Sequence, residues 1–207
     1  MDQFLSFSPE EVARLADTEF FRAKVQISAK VRHTLESLHD AFRSELVGRN
    51  LLCPQGFDPD SVQFVKGEHL EDFPYQYLDF PRHYTRGDKC SFRSLFWWGH
   101  YVVFALILEG SHIRQYKQNV INGYRLLADQ EISLCLSPSL WEWKAGPGYT
   151  LELTHDRKSE VAAVLANRSF FKLAHFIPIS HPLVQSGQLV RVGQEKFRAL
   201  LSVISSA

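Results

Sequence analysis

The sequence predicts an α+β fold, an antiparallel or mixed β-sheet with long amphipathic helices packed on it. Three observations carry that expectation. Apolar residues recur at helical multiples from Thr18 to Gly48 and again after Ser111. Short apolar runs are separated by tight turn chemistry, and strands joined in that way pair antiparallel. Finally, 45% of the 207 residues are hydrophobic, and sixteen Phe, seven Tyr and four Trp stand against a single Met, which gives a stiff, bulky core. The length fits one domain over residues 1–207, or two closely packed halves, 1–110 and 111–207.

In chain order, "SPEEVARL" opens a short helix, with Ser8 as N-cap, Pro9 at the first helical position and Glu11 completing a capping box. Phe21, Val25, Val31, Leu35, Leu38, Phe42 and Leu46 then form the stripe of a long helix ending near Gly48. "SVQFV" and "YQYLDF" read as strands separated by the polar "KGEHLEDFP". After Ser111, a candidate cap, Ile113, Tyr116, Val120, Tyr124 and Leu127 line one face of another helix. "EISLCLS", "SLWEWK" and "YTLELTH" read as a three-strand meander broken by Ser137-Pro138 and "AGPG". A helix over about Ser159 to Ala166, a strand in "SFFKLAHFIPI" and a closing helix with Phe197, Leu200, Leu201 and Ile204 on one side complete the chain.

The most apolar stretch is "SFRSLFWWGHYVVFALILEG", Ser91 to Gly110. Its uncharged part, Ser94 to Leu108, would make a helix of roughly 22 Å, too short for a hydrocarbon layer of ~30 Å. A hairpin around Gly99-His100 fits it better, with Gly99 first in a type II′ turn and Trp98 facing Tyr101, Trp97 facing Val102, Phe96 facing Val103 and Leu95 facing Phe104. A helix from Trp97 to Glu109 is the competing reading, disfavoured by β-branched Val102, Val103 and Ile107. Apolar on both faces except at its open end, where Arg93 and Glu109 lie, the hairpin belongs in the middle of a sheet covered on both sides.

Twenty-three basic and twenty-three acidic residues cancel, which argues against a nucleic-acid partner. The N-terminus lacks a basic leader and the apolar block is too short to span a bilayer, so a cytoplasmic protein without membrane contact is expected. Cys53, Cys90 and Cys135 form no C-x-x-C pair and read as free thiols; Cys90, beside Lys89, is the one with a basic sequence neighbour. No P-loop, Rossmann glycine pattern, nucleophile elbow or His-rich metal motif occurs, so neither cofactor nor metal is expected.

Two segments carry candidate chemistry. In "YLDFPRHYTRGDKC", read as a loop at a sheet end, Arg82, His83, Arg86 and Lys89 point to recognition of a small anion or of a protein partner. In "EWK", Glu142 and Lys144 would share one face of a strand, a carboxylate for Mg²⁺ and a lysine for the attacking water of a phosphodiester hydrolase. The element order from Ser111 onward resembles the core of the nuclease superfamily built around an Asp and a Glu-x-Lys. Here the nearest acids are Asp129 and Glu131, and the Glu-x-Lys falls one strand early. The expected role is therefore a binding or interaction module, with the hydrolase and a structural homodimer, its interface covered by the aromatic excess, as alternatives.

Overall fold

A computed structural model describes residues 6–206. Helices α1 (Pro9–Leu15) and α2 (Thr18–Leu46) come first, then strands β1 (Gln63–Leu70), β2 (Phe73–Tyr84), β3 (Lys89–Trp97) and β4 (Tyr101–Glu109). Helices α3 (Ile113–Asn122) and α4 (Tyr124–Leu127) lead to β5 (Ser133–Cys135) and β6 (Thr150–Glu152). The chain closes with α5 (Lys158–Ala166), β7 (Phe170–Pro178), α6 (Pro182–Gln185) and α7 (Leu189–Ile204). One seven-stranded sheet results, in the order β1-β2-β3-β4-β7-β5-β6, with every neighbouring pair antiparallel. The fold is α+β, and β4 pairing with β7 carries the sheet across the 110/111 boundary.

Strand alternation divides the core. Leu78, Phe80, Phe92, Phe96, Phe104, Leu106, Phe171 and Leu173 face the helices, where Leu35, Leu38 and Phe42 of α2, Tyr116 and Val120 of α3 and Phe197, Leu200 and Leu201 of α7 meet them. Phe42 stacks on Phe197 at 4.3 Å, and Phe92 stands edge-on to both rings. Leu95, Trp97, Val103, Ala105, Ile107 and Ala174 face the other way, covered by Leu140 and Trp143 of the β5–β6 connection. Where α7 crosses α2 and β4, Gly193 leaves no room: a Cβ there would lie 2.5 Å from Leu38 and 2.7 Å from the Phe104 ring. Gly193→Ala is expected to lower stability by about 1–3 kcal/mol in urea unfolding, despite alanine's better helix propensity.

The central hairpin forms, with a register one residue from the expected one. Trp97 faces Tyr101, Phe96 faces Val102 and Leu95 faces Val103, leaving a loop of Trp98, Gly99 and His100. The Trp98 N–H donates to the Pro74 carbonyl (3.0 Å), which draws Trp98 out of the ladder, and the His100 N–H closes the turn onto the Trp97 carbonyl (3.1 Å). Gly99 thus occupies the second central position, at φ +75°, where a side chain would be strained. Because β3 begins at Lys89, Arg93 lies inside the hairpin, opposite Ala105, and not at its open end, where Lys89 faces Glu109.

Other expectations change for identifiable reasons. "KGEHLEDFP" is no separator: β1 runs to Leu70 and β2 starts at Phe73, across a two-residue turn with positive φ at Glu71 and Asp72. Its polarity reflects an edge strand only half covered. "SLWEWK" is not a strand, because Lys172 takes the Leu140 and Glu142 carbonyls that a ladder would use. Ser111 does not cap α3; its N–H and Oγ both donate to the Asp88 carboxylate (2.7 Å), and His112 is the N-cap. In α2 the stripe is buried from Val31 to Phe42, while Phe21 and Val25 are exposed.

Candidate functional site

The segment expected to be a loop is largely strand. Residues up to Tyr84 belong to β2, Lys89 opens β3, and only Thr85 to Asp88 turn between them. Pro81, which cannot donate to a ladder, is accommodated by a bulge: Asp79 faces Arg93 and Arg82 faces Ser91, so that Phe80 and Pro81 together oppose Phe92. The bulge places Arg82 and Tyr84 on the sheet face covered by the β5–β6 connection, and His83, opposite Cys90, on the helix side near Phe57. Arg86 is exposed in the turn, and the Lys89 ammonium pairs with Glu109. Of the four cations proposed for an anion site, therefore, Arg82 alone lies beside the buried polar groups of that face.

Those groups are Asp79, Arg93 and Lys172. The Arg93 guanidinium holds the fully buried Asp79 carboxylate bidentately, Nε to Oδ1 at 2.7 Å and Nη2 to Oδ2 at 2.6 Å. Its carbon sits 3.8 Å from the Tyr77 ring centre and about 5.5 Å from those of Trp141 and Trp143. Lys172, buried on β7, lies 3.7 Å from the Trp143 ring centre and donates to the Leu140 and Glu142 carbonyls. Burial pushes its pKa down to about 8.

These cations fasten the connection Leu136 to Tyr149 over the sheet. Arg168 donates to the Leu136 and Ser137 carbonyls, and the Ser137 hydroxyl donates to Glu142 at 2.6 Å. Fourteen residues without regular structure are long for a compact domain, and such connections are commonly functional. Glu142 and Lys144 belong to this layer. Their charged atoms are 3.7 Å apart, but Lys144 is nearer to Glu71 of the β1–β2 turn, at 3.2 Å. Asp129 and Glu131, the expected acidic partners, bond elsewhere, Asp129 to His155 at 3.1 Å and Glu131 near His175 and Lys196. Among the described residues no group of three or more His, Cys, Asp or Glu side chains could hold a metal ion.

Comparison with protein-family models, curated proteins and solved structures finds no match.

Five buried side-chain atoms among the described residues lack a hydrogen-bond partner: Arg82 Nε, His83 Nε2, Tyr84 Oη, Ser94 Oγ and His100 Nε2. Three belong to consecutive residues of β2, where each buried donor left alone costs about 1–3 kcal/mol. Arg82 lies over Tyr84, 5.1 Å from its ring centre, and Trp141, half exposed, packs edge-on to that ring at 5.8 Å. The Tyr84 hydroxyl is held above its ordinary pKa by burial and by the negative Asp79, so it remains a donor at neutral pH. Asp79 is already matched by Arg93, whereas Arg82 joins none of the ion pairs among the described residues. Arg82 Nε is thus a cationic donor left over at the rim of a covered face, and the Tyr84 hydroxyl lies against Asp79 and Ser91 without a well-formed hydrogen bond to either.

The sequence reading missed Asp79, Arg93 and Lys172 as a group. A signal existed: each is a single charge inside an apolar strand run, "YLDF", "SFRSLF" and "FFKLAHF". Cys90, the thiol with a basic sequence neighbour, is free and fully buried, and contact with Cys53 together with burial pushes its pKa well up. No helix among the described residues is long and apolar enough to cross a membrane.

Proposed function

We propose that this chain is a binding module for a small ligand bearing an anionic, hydrogen-bond-accepting group, taken by Arg82 and Tyr84 beside Trp141. The observation supporting this reading is the pair of buried donors without partners on one strand face, next to a balanced ion pair that leaves Arg82 as surplus charge. A carboxylate or phosphate oxygen would satisfy both donors, and the Trp141 ring offers a flat apolar wall to the rest of the ligand. Glu142 and Lys144, tied to Ser137 and Glu71, serve in this reading to hold the covering layer.

Thermal shift and calorimetry with inorganic phosphate, sulfate and citrate test the proposal. Wild type is expected to be stabilised by at least one of these anions. Arg82→Ala should weaken that binding roughly tenfold to a hundredfold, the worth of a charge-assisted hydrogen bond. Arg82→Lys, which keeps the charge but loses the Nε donor, should also weaken it, and so should Tyr84→Phe, whereas Arg86→Ala should not. Absence of any anion effect on wild type, or full binding by Arg82→Ala, would overturn the reading.

A further inference from the structure

Cys53 and Cys90 are both free thiols, 37 positions apart in sequence, and they meet on the helix side of the sheet. Cys90 lies on β3, fully buried, while Cys53 is half-buried in the connection from α2 to β1, residues 47–62, which has no helix or strand of its own. The two thiols are in contact, and the Tyr116 hydroxyl lies beside them. Cys135, the third thiol, is buried on the opposite face of the sheet, beside Lys172 and Arg168.

Irregular as the connection is, its backbone is tied down at Cys53. The Leu52 N–H donates to the Ile204 carbonyl (2.7 Å), and the Leu52 carbonyl accepts from the Tyr116 hydroxyl (2.8 Å). The His112 Nε2–H donates to the Cys53 carbonyl (3.0 Å), and Leu51 bridges to Ser205. Cys90 is fixed by its ladder, opposite His83 on one side and Leu108 on the other. Disulfide closure demands a narrow geometry, and here native packing holds both partners beside each other before any oxidant arrives.

We infer that Cys53 and Cys90 are a peroxide-reactive pair that closes to an intramolecular disulfide. Their difference in exposure assigns the roles. Cys53, which solvent reaches, attacks one oxygen of hydrogen peroxide; the O–O bond breaks, the other oxygen leaves as water with the thiol proton, and Cys53 becomes a sulfenic acid. Cys90, kept protonated by burial, resolves it: its sulfur attacks the Cys53 sulfur, the S–O bond breaks, and the hydroxyl leaves with the Cys90 proton as a second water. Each sulfur gives up one electron and the peroxide takes both. The product ties the α2–β1 connection to β3, and a dithiol reverses it. The pair lies on the sheet face away from Arg82 and Tyr84, so the inference stands independently of the ligand reading.

The test exposes the reduced full chain to a small excess of hydrogen peroxide, then counts free thiols after denaturation and maps the peptides by mass spectrometry. Wild type is expected to fall from three free thiols to one, with a Cys53–Cys90 cross-linked peptide that a dithiol removes. The oxidised chain should melt at least about 5 °C above the reduced one, because the cross-link closes a long loop. Cys53→Ser should keep both remaining thiols at the same dose, since Cys90 is out of reach of the oxidant. Cys90→Ser, with Cys90→Ala as a second variant should the hydroxyl disturb the core, should stop at the Cys53 sulfenic acid, trapped by dimedone as an adduct. A wild type that retains three thiols, a disulfide that involves Cys135 or joins two chains, a cross-link without the gain in melting temperature, or a Cys53→Ser chain oxidised as readily as wild type would overturn the inference.

Discussion

Asp79→Ala is expected to destabilise the protein by about 3–5 kcal/mol, the largest effect of any single polar substitution in the sheet. Asp79 is fully buried and Arg93 is 7% exposed, so removing the carboxylate strands a guanidinium between Tyr77, Trp141 and Trp143 with no anion to balance it. The aromatic faces recover a minor part of that cost, on the order of 1–2 kcal/mol. Arg93→Met should cost a similar amount, because Asp79 would then be the stranded charge. The double variant Asp79→Leu with Arg93→Met removes both charges and should recover most of the loss, since a buried pair contributes far less than either half costs when left alone. Urea unfolding of the two single variants and the double variant measures this cycle; single variants within 1 kcal/mol of wild type, a threshold about a third of the least expected loss, would refute it.

Lys172 makes stability depend on alkaline pH. Burial lowers its pKa from 10.5 in the unfolded chain to about 8 in the folded one. Below pH 8 both states hold the proton, and above 10.5 neither does. Between them only the unfolded chain is protonated, so folding releases a proton and becomes more favourable as pH rises. A shift of this size corresponds to about 3 kcal/mol gained across the window. Lys172→Met abolishes that gain. The measurement is the difference in unfolding free energy between wild type and Lys172→Met at several pH values from 8 to 10.5, which should move steadily in favour of wild type. A difference constant over that range would show that Lys172 keeps an ordinary affinity for its proton.

The fold was legible where local chemistry and tertiary environment agree. Ser8, Pro9 and Glu11 announce α1 because capping is local, and the two-sided apolar run announces β3 and β4 because a central hairpin is buried on both faces. The β3–β4 register was not legible, since it turns on the Pro74 carbonyl accepting the Trp98 N–H from more than twenty positions away in sequence. The same holds for "SLWEWK". Its apolar alternation is real, but what it meets is a wall of side chains and the Lys172 ammonium, not a neighbouring strand. At the candidate site, reading Asp79 to Lys89 as one loop let four cations converge, whereas a strand sends Arg82 and His83 to opposite faces. The partners of the covered face, Asp79, Arg93 and Lys172, come from three strands and meet only through sheet order.

The extra residue at Phe80-Pro81 acts on β2 as a frameshift acts on a message. Upstream of it, odd-numbered residues such as Tyr77 and Asp79 face the covering layer; downstream, even-numbered Arg82 and Tyr84 do. Paired in one unbroken register, the same residues would set Arg82 opposite Cys90, sending Arg82 and Tyr84 into the helix-side core and His83 toward the covering layer. What decides which side chains of β2 can share a site is therefore the bulge: one residue left unmatched by β3 sets the parity of every residue after it.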